Sequence, residues 1–213
     1  LFVFFGAFRG LLFLLGVSLL HADERPPNIV FILADDMGYG DMGTQGAQGF
    51  ATPNLDRLAR EGTRFTNFLA AQPVCTASRA ALLSGCYPNR IGMAGALNHT
   101  NRTGIHSEEV LLPELLRTRG YATACFGKWH LGTLRDFFPT RNGFDMWSGL
   151  PYSNDNGPRH PTIQGLPALP LYDGDEVIER DPDQAQFTNR FTARAIRFIV
   201  ENKSRPFFLY LPH

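Results

Sequence analysis

Three short stretches of this chain hold residue types that can do chemistry. The first is Asp35-Asp36, directly after the apolar run Asn28-Ile29-Val30-Phe31-Ile32-Leu33-Ala34. Adjacent carboxylates repel each other unless a cation or basic groups compensate them, and ligation by oxygen alone suits Ca2+ or Mg2+. A lone pair of this kind is more often a solvated turn. The second is Cys75, four residues ahead of Arg79 in Cys75-Thr76-Ala77-Ser78-Arg79. A thiol at a helix start with a guanidinium one turn later sits in an electropositive setting that attracts anions. The plainer reading is an ordinary reactive or buried cysteine. The third is Lys128-Trp129-His130, a cation and a titratable ring that follow Tyr121-Ala122-Thr123-Ala124-Cys125-Phe126-Gly127. In isolation it reads as surface charge and core packing.

The elements that must position these residues are legible from apolar pattern and punctuation. Residues 28–34 form a continuous β-branched and aromatic run, as expected of a strand buried on both faces of a parallel sheet. Thr52-Pro53 starts a helix whose apolar face is Leu55, Leu58 and Ala59 and whose stop is Gly62. Phe65 to Leu69 is expected to return as a short strand, and Ser78 to Leu83 to be helical, which puts Cys75 just before a helix N-terminus. Pro113 to Arg119 is a further helix closed by Gly120, followed by a strand from Tyr121 to Phe126. Past Gly143 the prolines mark loops. Phe187, Phe191, Ala195, Phe198 and Ile199 then recur at helical spacing, and Phe207 to Leu211 is another buried strand. Alternating strands and helices predict an α/β fold with a mostly parallel central sheet flanked by helices. Open sheets of that kind place their ligands at the C-terminal strand ends, where Asp35, Asp36, Lys128 and His130 fall.

With these motifs laid out, the chain resembles the formylglycine-dependent type I sulfatases. Cys75-Thr76-Ala77-Ser78-Arg79 is similar to the Cys-x-Pro-x-Arg signature whose cysteine is oxidised to formylglycine, with Ala77 at the usual proline. Gly120-Tyr121-Ala122-Thr123 and Gly127-Lys128-Trp129-His130 are similar to the family's second signature. Gly149-Leu150-Pro151-Tyr152-Ser153-Asn154-Asp155 resembles the arylsulfatase A-like branch, in which the serine helps to hold the sulfate; the plainer reading of Ser153 is a loop serine satisfied by backbone. One departure is Cys86, where relatives usually carry an arginine that supports the cysteine segment.

The resemblance implies a sulfatase fold of the alkaline-phosphatase type and hydrolysis of sulfate esters. Cys75 would become formylglycine, whose hydrate attacks sulfur and is later freed when its second hydroxyl is deprotonated. Asp35, Asp36 and the modified Cys75 would bind Ca2+, with Mg2+ an alternative. Arg79 would steady the nucleophile, Lys128 and Ser153 would bind the sulfate, and His130 would be the base. The implied partners are a sulfated small molecule or sulfated glycan and the formylglycine-generating, sulfatase-maturing enzyme. Further family elements, a metal-binding Asp/Asn pair, a Lys and the leaving-group His, are expected downstream, and His213 is not read as that histidine. Residues 23–213 are therefore expected to be the N-terminal part of a catalytic domain, inactive by itself. Two alternatives remain open: a phosphate or phosphonate ester hydrolase of the same superfold, and a non-catalytic sulfated-glycan-binding relative.

Composition sets the bounds on partners and compartment. Lys plus Arg equals Asp plus Glu at 20 each, so no global field draws the chain to nucleic acid, and an anionic substrate must be handled locally. Residues 1–22 read as an export signal, or else as a retained anchor, since the apolar stretch approaches the roughly 20 residues that span a bilayer. A periplasmic, extracellular or lysosomal-type compartment is expected. Three cysteines leave at least one unpaired, and whether Cys86 and Cys125 pair is open at this level.

Overall fold

In the computed structural model, residues 25–213 are described, so the expected export signal at 1–22 lies outside the described residues. The strands are β1 (Ile29–Leu33), β2 (Ala122–Lys128), β3 (Met146–Leu150), β4 (Pro170–Asp173), β5 (Glu176–Arg180) and β6 (Phe207–Pro212). The helices are α1 (Pro53–Glu61), α2 (Cys75–Ser84), α3 (Leu112–Arg117) and α4 (Phe187–Glu201). One six-stranded sheet runs in the order β1-β6-β2-β3-β4-β5. The first four of these strands are mutually parallel, and β4 and β5 add an antiparallel hairpin at the far edge.

Strand alternation divides the apolar residues into two cores. On one face of the sheet Ala122, Ala124 and Phe126 of β2 and Phe207, Leu209 and Leu211 of β6 meet Phe191, Ala195 and Phe198 of α4. On the other face Cys125, Phe208 and Tyr210 pack with Ala80 and Leu83 of α2, together with Trp129, Phe138, Phe144 and Trp147. The aromatic content is concentrated there, with Phe138 and Trp147 edge to face at 4.7 Å. Burying an apolar side chain of this size stabilises the fold by about 1.5–3 kcal/mol each.

Several sequence expectations are corrected. Among the described residues β1 is a sheet edge, and α4 does not reach over it, so Val30 and Ile32 are 46% and 59% exposed while Ile29, Phe31 and Leu33 pack inward. Phe65 to Leu69 forms no strand and its aromatic side chains stand in solvent. Thr52 does not cap α1; its hydroxyl accepts from Gly43 N–H and donates to Asp56 instead. The stretch past Gly143, expected to be loops, contains β3 and the β4-β5 hairpin, whose turn uses Gly174 at φ 57°.

The parallel strands all end on one side, which is what assembles the site. Asp35 and Asp36 follow β1, Lys128 closes β2, Ser153 follows β3 and His213 follows β6. The β2-β6 approach is close enough to require glycine. Gly127 has φ 129°, and a Cβ there would lie 1.9 Å from the Pro212 carbonyl oxygen.

Candidate active site

α2 brings the cysteine segment under this rim. Cys75 is the first residue of the helix rather than the residue before it, and Thr76, Ala77, Arg79, Ala80 and Leu83 bury the helix against the aromatic core. The helix closes at Gly85 in the left-handed region at φ 69°, its N–H bonded to Ala81. Arg79 is buried on this scaffold and Cys75, partly exposed, heads the same helix, so the two are fixed relative to each other.

One ligand atom each from Asp35, Asp36 and Cys75 lie within 4.8 Å of one another. Lys128 Nζ donates to Asp35 Oδ2 at 2.6 Å and to Ser153 Oγ at 3.2 Å. Arg79 Nη2 lies 3.4 Å from Asp35 Oδ1, and Nη1 donates to the Lys128 carbonyl at 2.5 Å. Tyr210, buried in the same core as α2, approaches Nη1 at 3.5 Å. Arg79 keeps two donor atoms, Nε and Nη2, buried without a hydrogen-bond acceptor. Burial raises the Asp35 carboxyl, but the Lys128 hydrogen bond and the charges of Arg79 and Lys128 outweigh it and hold it below its usual 3.8.

His130 sits at φ 63° and Asp36 at φ 56°, a backbone region that residues other than Gly, Asn, Asp and His rarely enter. The strained turn at His130 is held by its N–H to Pro151 and by Trp129 N–H to Leu150. Nε2 lies 2.6 Å from the Leu97 carbonyl, and Nδ1 is buried without a partner. Burial lowers the imidazole from 6.5 to about 4, the Lys128 charge adding to it and the Leu97 bond opposing it. The ring is neutral at physiological pH. Among the described residues no hydrogen bond links it to Asp35, Asp36 or Cys75.

Two cavities of about 370 Å³ flank the acidic pair. One is lined by Gln72, Pro73, Cys75 and Arg79, the other by Lys128, Asn154, Phe187 and His213. Six of the seven residues singled out in the sequence thus form one contiguous cluster, with His130 beside it. The backbone of Leu97 and the Tyr210 hydroxyl were missed; no pattern of residue types points to a loop carbonyl. Cys86 is exposed, Cys125 is fully buried with its thiol pushed up by burial, and the two are not bonded.

The donor set is suited to a divalent cation in all but one atom. Two carboxylates suit a hard ion, whereas a cysteine sulfur does not; an oxygen on residue 75 would complete an all-oxygen face. Two carboxylates balanced by one Lys and one Arg make a locally neutral cluster that a divalent ion turns positive, the condition for holding an anionic ester.

A mostly parallel α/β sheet whose strand ends gather two acids, two cations and a helix-start cysteine is the setting in which the comparisons fall. The chain belongs to the sulfatase family: the Sulfatase family model matches residues 27–212. It is 43% identical to arylsulfatase A of Homo sapiens, over 96% of this chain and 44% of that protein. Identity to N-acetylgalactosamine-6-sulfatase of Mus musculus is 41%, over 94% of this chain and 42% of that one. The fold matches the crystal structure of Ps i-CgsB with a TM-score of 0.77 at 31% identity, over 89% of this chain and 45% of that one. Ps i-CgsB has also been solved in complex with k-i-k-neocarrahexaose. The chain spans less than half the length of each of these relatives.

Proposed function

We propose that the protein hydrolyses sulfate esters, with Cys75 converted to formylglycine by a sulfatase-maturing enzyme, and that residues 23–213 are the N-terminal part of the catalytic domain. The single observation that carries this reading is the convergence of Asp35, Asp36 and Cys75 within 4.8 Å, with Lys128 and Arg79 on the same carboxylate. Asp35, Asp36 and the oxygen on residue 75 would hold Ca2+ or Mg2+. When bound, the ion supplies Lewis-acid polarisation of a sulfate oxygen and makes a nearby hydroxyl more acidic.

The chain's own residues do the rest. Lys128 and Ser153, already joined at 3.2 Å, present an ammonium and a hydroxyl to the sulfate. Arg79 is fixed by the Lys128 carbonyl and lies against Asp35, where its charge would offset negative charge developing in the cluster. His130, neutral and with Nε2 committed to Leu97, accepts a proton at Nδ1. The arylsulfatase and N-acetylgalactosamine-6-sulfatase relatives, and the oligosaccharide complex of Ps i-CgsB, support a sulfated glycan or small sulfate ester as substrate. The apolar residues 1–22 support export.

The test is twofold and uses the full-length protein made in a host with the maturing enzyme. The Cys75 peptide should be about 18 Da lighter than the thiol form, and p-nitrophenyl sulfate should be turned over in preference to p-nitrophenyl phosphate. An unmodified Cys75 with no turnover favours a binding relative, and preference for phosphate favours a phosphate or phosphonate hydrolase.

A further inference from the structure

If His130 is the base of this site, something must decide which ring nitrogen carries the hydrogen. A carbonyl only accepts, so the 2.6 Å contact to Leu97 O puts the hydrogen on Nε2 and leaves the lone pair on Nδ1. Leu97 lies in a loop, and its carbonyl direction must be set by another contact. That contact comes from α2. The Leu97 N–H donates to Thr76 Oγ1 at 3.1 Å, so Thr76 and His130 grip the same loop residue through its N–H and its carbonyl. The loop is docked on the same helix turn by a second bond, Ala77 N–H to Gly95 O at 3.2 Å. Gly95, at φ 80°, lets the chain fold back onto the helix start. Thr76 is only 1% exposed, so water does not compete for its hydroxyl.

We infer that Thr76 is a positioning residue for the reaction: through Leu97 it holds His130 in the Nε2–H tautomer, leaving the lone pair on Nδ1, which is buried without a partner. The inference rests on the sulfatase reading of this site and deepens it. Thr76 touches no reacting atom. A hydroxyl that merely filled space would be replaced without loss by valine, which has the same shape and no acceptor; serine keeps the acceptor and drops the methyl.

The test compares full-length wild type, Thr76→Val and Thr76→Ser. Because Thr76 adjoins the residue to be modified, kcat on p-nitrophenyl sulfate is expressed per converted Cys75, counted by peptide mass spectrometry. The expected result is a 10- to 100-fold fall in kcat for Thr76→Val, roughly the cost of losing a group that orients a catalytic His, with KM within about threefold. Thr76→Ser should recover to within about threefold of wild type. Long-range 1H–15N spectra of histidine-labelled protein should show His130 as a single Nε2–H tautomer in wild type and as a mixture in Thr76→Val. Wild-type kcat in Thr76→Val, a Thr76→Ser defect as deep as that of valine, or an Nδ1–H tautomer in wild type would each overturn the proposal. The wild-type spectrum needs no variant to fold. A converted wild type that cleaves no sulfate ester sinks the sulfatase reading instead, and the tautomer spectra then decide the Thr76–Leu97–His130 chain alone.

Discussion

Arginine–carboxylate pairs occur in two regions of this molecule and are built in opposite ways. On the hairpin and α4, Arg194 grips Asp173 with two bonds of 2.9 and 2.7 Å, and Arg190 meets Glu179 at 2.6 Å, all half-buried with their side chains still open to solvent. At the rim, Arg79 is 1% exposed, meets Asp35 only at 3.4 Å, and leaves Nε and Nη2 without acceptors. Geometry is good where solvent makes it worth little, and incomplete where burial makes incompleteness expensive. An arrangement selected for stability would do the reverse. Under the proposed function the unpaired donors at the rim are those an anionic ligand would use, whereas the outer pairs lie away from it.

The comparison can be broken or sharpened by experiments of decreasing size. Removing the nucleophile position should matter most: Cys75→Ala should lower kcat/KM for p-nitrophenyl sulfate on the order of 10⁴-fold or more while leaving the urea midpoint nearly unchanged. Next comes the acid response. The unfolded chain protonates His130 near 6.5, whereas the folded chain resists protonation until about 4. The stability this contributes is complete above 6.5 and drains as pH falls towards 4, by about 3 kcal/mol. Urea melts of wild type and His130→Gln should therefore differ in slope across that window. Asp35, held below its usual value, adds a further loss only at pH below 3.8.

Third, Arg79→Met strips the Lys128 carbonyl and Asp35 of a buried partner and should cost about 2 kcal/mol by denaturant titration, against a larger loss of turnover. A stabilised Arg79→Met protein that is catalytically dead would sharpen the contrast further. Last, Arg194→Ala should change stability by less than about 1 kcal/mol and activity not at all. A larger effect there would erase the distinction between the two regions.

The site was readable before the fold was. Asp35, Asp36 and Lys128 could be placed because each stands at or just past the end of an expected strand, and parallel strands end together; Ser153 was reached only through the resemblance, since no strand was expected ahead of it. Cys75 and Arg79 could be placed because one helical turn separates them. What the sequence withheld was neighbour relations. Ile29 to Leu33 is as apolar as Phe207 to Leu211, yet β6 is inserted between β1 and β2 while β1 stands at the edge. Period and composition describe a strand's faces and not the company it keeps. The β4-β5 hairpin did leave a signal, the Asp173-Gly174 pair between Leu171-Tyr172 and Val177-Ile178, which the surrounding prolines obscured. The Leu97 carbonyl left none, because a backbone acceptor has no letter in the sequence.

Among the described residues the two borders of the sheet carry different protection. β5 ends it with Glu176, Glu179 and Arg180, charges that discourage a second chain from lining up alongside. β1 ends it with Ile-Val-Phe-Ile-Leu, no charge on the strand, and bare Val30 and Ile32. As described, that border is a ready template for strand addition, so preparations of residues 25–213 should associate in a concentration-dependent way through β1, and a lysine at Val30 should keep them apart.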